Sequence, residues 1–156
     1  MQLSPHFSLS ELTKSQLALR RGIANVPGGL AIANLRRLAQ GILEPVREHF
    51  ALPFTPSSGF RSAALNEAVG GKPTSQHTKG EAVDFEIPGI ANRTVAEWIR
   101  DHLTFDQVIL EFYEPADPAS GWVHASLRAE ANRRQCLTIN RDGTWPGFLI
   151  EAPAKL

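Results

Sequence analysis

The chain has a single cysteine, Cys136, among its 156 residues. No intramolecular disulfide can form, and one sulfur cannot build the thiolate cage of a structural metal site. Neither sign of charge is in excess: Lys plus Arg and Asp plus Glu each number 16, for a formal net charge of +0. Global electrostatics therefore give no basis for binding nucleic acid or an anionic membrane surface. No segment approaches the roughly 20 apolar residues that span a bilayer, so stable membrane insertion is not expected. The start of the chain also lacks the basic residues and apolar run of a secretory leader. Synthesis in the cytoplasm is expected, with any action outside it depending on another route of release or export. Glycine patterns that cradle a dinucleotide or a phosphate are missing as well.

What the chain does have is enough apolar material for one core. With 42% hydrophobic and 21% charged residues, it is too short for two ordinary domains, and residues 1–156 are expected to form a single domain and a monomer. The apolar positions Leu35, Leu38, Ile42, Leu43 and Val46 recur at helical spacing and predict a main amphipathic helix over Leu30 to Phe50. A short helix is expected after Ser8, which stands three residues before Glu11 as in a capping box. Others are expected over Ser62 to Val69, closed by Gly70 and Gly71, and over Asn92 to His102. Strands are expected over Glu81 to Ile87, Phe105 to Phe112, Trp122 to Leu127 and Cys136 to Asn140. The last should form a hairpin with Thr144 to Ile150 across Arg141-Asp142-Gly143. Helices first and strands afterwards predict an α+β fold, with a small, mainly antiparallel sheet packed against helices.

The chemistry-bearing residues gather in two segments, Ser75-Gln76-His77-Thr78-Lys79-Gly80-Glu81-Ala82-Val83-Asp84 and Trp122-Val123-His124-Ala125-Ser126. Alternation along the first strand puts Val83, Phe85 and Ile87 on one face and Ala82, Asp84 and Glu86 on the other. Alternation along the second puts His124 beside Trp122 and Ser126. Gly80 allows a tight turn, so His77 can fold back over the strand carrying Asp84. Two imidazoles and one carboxylate suit zinc at the sheet face, and three ligands leave a coordination position for water, as hydrolytic sites do. The bland alternative is an empty polar cluster tied by hydrogen bonds.

These blocks, with Ser58-Gly59-Phe60-Arg61-Ser62, Leu65-Asn66 and Val69-Gly70-Gly71, resemble the zinc D-Ala-D-Ala carboxypeptidase family. That family also holds phage endolysin-type L-alanyl-D-glutamate endopeptidases and is related to the hedgehog signalling domain. The resemblance runs from Ser58 to Ser126, with Leu3-Ser4-Pro5-His6-Phe7 and Asn34-Leu35 also similar to phage-type members. It implies a zinc peptidase acting on peptidoglycan stem peptides, as a D,D-carboxypeptidase or an endopeptidase. It further implies His77, Asp84 and His124 as Zn2+ ligands, with Arg61 and Ser75 near the substrate carboxylate or reacting carbonyl. Many members carry the catalytic acid three positions before the last histidine, where this chain has Gly121. The base is then expected to be Glu111, at the end of the preceding strand, with Glu114 in reserve.

Each assignment has a plainer counterpart. Arg61 can simply pair with an acid, Ser75 can cap a loop, Trp122 can wall a cleft, and Glu111 can be a solvated strand end. His6, His49 and His102 are expected to be structural or on the surface, and Cys136 a small core residue. Two alternatives to a peptidase are a zinc-containing binding module without turnover, which Gly121 in the acid position keeps open, and a virion-associated structural component.

Overall fold

The chain opens with two short paired strands, β1 (Gln2–Ser4) and β2 (Phe7–Ser8), which the sequence pattern does not announce. They feed Leu3 and Phe7 into the core. Helix α1 (Leu9–Thr13) follows at once, and the Ser8 hydroxyl accepts the Glu11 backbone N–H as expected of its cap. A further helix, α2 (Gln16–Arg21), is capped in the same way by Ser15 and ends at Gly22. The computed structural model describes residues 1–151.

The long expected helix is present as α3 (Gly29–Leu38) and α4 (Glu44–Phe50), joined without a break by a widened π turn over Ala39–Leu43. Pro45 accounts for the widening. It has no N–H for the Gly41 carbonyl and its ring crowds that oxygen, so the turn before it opens and the Glu44 N–H reaches back to Ala39. The buried Glu44 carboxylate then accepts the Ser4 hydroxyl at 2.7 Å, the His6 backbone N–H at 3.2 Å and the His6 ring. Those hydrogen bonds pin the N-terminal strands to the main helix.

Helices α5 (Ala63–Ala68) and α6 (Asn92–His102) lie where the pattern places them. His49 and His102 stack against Trp98 on the helical side, with ring centroids 4.4 and 4.9 Å from it.

The second sheet is mixed. Its strands are β3 (Ala82–Phe85), β4 (Gln107–Glu111), β5 (Trp122–Ser126), β6 (Gln135–Asn140) and β7 (Gly143–Pro146), in the order β3-β5-β4-β6-β7. Three pairings are antiparallel and one, β4 with β6, is parallel. The final hairpin is shorter than expected. Gly147 turns away at φ 74, its N–H bonding Cys136 O and its carbonyl taking the Thr138 hydroxyl, so residues 147–150 leave the sheet.

Period-two alternation divides the sheet into two faces. Val83, Phe85, Val108, Leu110, Val123 and Ala125 are buried in one core with Leu35, Leu38, Ile42, Val46 and Ile99 from the helices. Burial of this kind stabilises by about 25 cal/mol per Å² of apolar surface, which makes this face the register-setting one. The opposite face is therefore free to carry polar side chains. The β3 edge is covered by Ser57 and Ser58, whose backbone exchanges hydrogen bonds with Asp84.

Candidate metal centre

On that opposite face, Asp84 of β3 is the cross-strand partner of His124 of β5, which in turn is the partner of Ile109 of β4. Direct partners on one face bring their side chains together. His77 arrives from a 3-10 turn, Gln76–Lys79, that ends at Gly80 with φ 75. Glycine is required there because the left-handed backbone is costly for a residue with a Cβ, and an added Cβ would also meet the Ala31 carbonyl. The result is a buried group of His77, Asp84 and His124 whose offered ligand atoms lie within 4.8 Å of one another.

The donor set fits a divalent metal. His77 Nδ1 donates to the Gly59 carbonyl oxygen at 2.7 Å, which orients the ring and turns Nε2 toward Asp84, 3.4 Å from Oδ2. His124 Nδ1 lies 2.9 Å from Asp84 Oδ1. Burial alone would raise the Asp84 pKa, but hydrogen bonds from His124 and His77 outweigh it and hold the carboxyl far below its ordinary range. The aspartate is thus kept ionised, the form that binds a cation.

Glu111 ends β4 on the same face, opposite Trp122, with its carboxylate 3.5 Å from His124 Nδ1. Burial and the neighbouring Asp84 charge raise its pKa, against the pull of His124, His77 and Arg61. A carboxylate beside a metal site with a raised proton affinity is suited to moving protons. Glu114 is elsewhere, in the turn it forms with Asp117, and does not line the cleft.

The cleft around the group measures about 700 Å³, and Arg61, Ser75, His77, Asp84, Glu111, Trp122 and His124 all line it. Arg61 has Nη2 3.7 Å from Asp84 Oδ2 and donates to Ser58 and Asn66. Ser75 caps the 3-10 turn, its hydroxyl accepting the His77 N–H at 3.3 Å, so its plainer role is observed and its hydroxyl still borders the cleft. Trp122 walls the cleft and packs on Phe112 at 5.2 Å.

Gly121 has a structural reason to be glycine. It sits at φ 64 directly behind the end of β4, where an added Cβ would land on the Glu111 carbonyl and on Phe112. No side chain, acidic or otherwise, fits at that position while Glu111 holds its place. The fully buried Asp106 also escapes the motif pattern. It binds Gln76, next to His77, and Arg133. The signal is a lone acid at the start of a strand, and nothing in the sequence separates it from a surface residue.

A family model described as Peptidase M15 matches residues 5–125, the part of the chain that carries the whole group. No curated protein matches the chain.

Proposed function

The chain belongs to the peptidase M15 family, and from that premise we propose that it is a zinc peptidase hydrolysing peptidoglycan stem peptides, with His77, Asp84 and His124 as the metal ligands. The carrying observation is the buried triad with one His77 nitrogen already committed to Gly59, beside a carboxylate and an arginine in a single cleft.

Bound zinc would lower the pKa of the water it holds to roughly 7 and polarise the substrate carbonyl. Glu111 takes the proton of the attacking water and returns it to the leaving amine. Its position 3.5 Å from His124 keeps it within reach of the same site. Arg61, with Ser75, holds the substrate carboxylate or the oxygen on which negative charge develops, help worth about 3 to 4 kcal/mol in comparable sites. Asp84 supplies the negative charge that a three-histidine set would lack, and Trp122 excludes water along one wall.

A binding module without turnover would leave Glu111 idle. The packing of Gly121 against the end of β4 favours the peptidase instead, because it ties the missing acid to the placement of another. Incubation of the zinc-loaded protein with purified peptidoglycan and defined stem peptides, followed by mass spectrometry, tests the function and identifies the bond cut. Release of discrete peptide products, abolished by a chelator, is expected. Intact substrate with zinc bound would point to the binding module.

Two smaller results should accompany it. Gly121→Ala should displace Glu111 and lower turnover on the order of 10²-fold, the cost of misplacing a reacting group by about 1 Å. Its metal content should stay that of the unsubstituted protein, which elemental analysis checks. Cys136 sits in β6 opposite Val108, and burial pushes its thiol pKa up. Alkylating reagents should therefore leave turnover intact, and loss of activity in a folded Cys136→Ser would indicate a thiol mechanism.

A further inference from the structure

One end of the cleft has polar groups that the hydrolytic machinery does not use. Gln107 and Arg133 line it there together with Gln76. Arg133 lies beyond the residues that the family model matches, which end at 125. Its side chain is half-exposed, yet its position is fixed. Nε donates to Asp106 Oδ1 at 3.1 Å, Nη2 donates to Oδ2 at 2.6 Å, and the backbone N–H donates to Oδ1 at 2.9 Å. The same carboxylate accepts Gln76 Nε2 at 3.0 Å. Asp106 is fully buried, so the acid that orients Arg133 does not itself face a ligand in the cleft. Among the described residues Nη1 has no partner, which leaves N–H donors of a pre-oriented fork available to an anion.

The position of this end relative to the metal group follows from the register. Ile109 pairs with His124, and Gln107 is two residues earlier on the same strand, on the same face. Glu111 lies two residues later, on the other side. At a strand rise of about 3.4 Å per residue, Gln107 is roughly 7 Å from the line of the ligands. An extended peptide covers about 3.3 to 3.6 Å per residue, so this end meets the substrate within about two residues of the bond at the metal.

We propose that Arg133, fixed by Asp106 and flanked by Gln76 and Gln107, is a second anion subsite that binds a free carboxylate of the peptide substrate within about two residues of the bond cut. This rests on the peptidase reading and adds a specificity determinant to it. Arg61 serves the metal end of the cleft, and Arg133 serves the far end.

The test uses the zinc-loaded protein and three stem pentapeptides: one with both its glutamate α-carboxylate and its C-terminal carboxylate free, and two in which one or the other is a carboxamide. KM and kcat are measured for each with the unsubstituted chain, Arg133→Gln and Arg133→Lys. One amidation should raise KM by about 10- to 100-fold in the unsubstituted chain, the range for losing a hydrogen-bonded charge, with kcat little changed. That penalty should vanish in Arg133→Gln and shrink in Arg133→Lys, which keeps a cation beside Asp106 if the glutamine variant fails to fold. Cleavage of all three peptides with no penalty, or with a penalty that persists in both variants, would overturn the subsite and leave the peptidase standing. Absence of both cleavage and binding, read by calorimetry, would overturn both together.

Discussion

Asp84→Ala should leave the chain without its metal and without turnover. The carboxylate stands between the two imidazoles, 2.9 Å from His124 Nδ1 and 3.4 Å from His77 Nε2, so its removal deletes one ligand and the charge that draws a cation to the other two. Changes in groups that merely orient metal ligands already cost about 10- to 100-fold. Loss of a ligand should exceed that, taking turnover to background. His77→Ala and His124→Ala should behave alike, because each removes one of three donors. The measurement is elemental analysis after dialysis, with circular dichroism to show that the fold persists. A folded Asp84→Ala chain that retains one zinc would remove this residue from the ligand set.

Glu111→Gln should separate chemistry from metal binding. The amide keeps the shape of the side chain and cannot accept the water proton, so zinc content should be unchanged while turnover falls by about 10²- to 10⁴-fold, the range for positioned acid–base help. Glu114→Gln should have little effect, since that side chain does not line the cleft. Near-normal turnover in Glu111→Gln combined with a large loss in Glu114→Gln would move the role along the loop. Normal turnover in both would leave the reaction without a base from this chain.

Much of the site is legible in the sequence because its geometry is local. Asp84 and His124 are read onto one face by alternation within four- and five-residue strands, and a buried opposite face keeps that register from slipping. Gly80 marks the turn that returns His77 to them. The less legible parts depend on contacts distant in sequence. That Gly121 abuts the end of β4 is a consequence of the β4–β5 register and of the loop between them. The link from Gln76 through Asp106 to Arg133 joins three segments, and no spacing rule reports it. The π turn depends on a single proline whose effect falls on the residues before it, so the apolar pattern continues through the bulge as one helix. The parallel pairing of β4 with β6 is hidden for a similar reason, because alternation sets which face a residue occupies and not the direction of its neighbour.

Titration of zinc into the metal-free protein while stem-peptide hydrolysis is followed tests the central claim most directly. Turnover should be absent at the start, rise linearly, and break sharply at one zinc per chain, with no rise in Asp84→Ala. Hydrolysis without metal, a break at any other stoichiometry, or no turnover at saturation would contradict a zinc peptidase built on His77, Asp84 and His124.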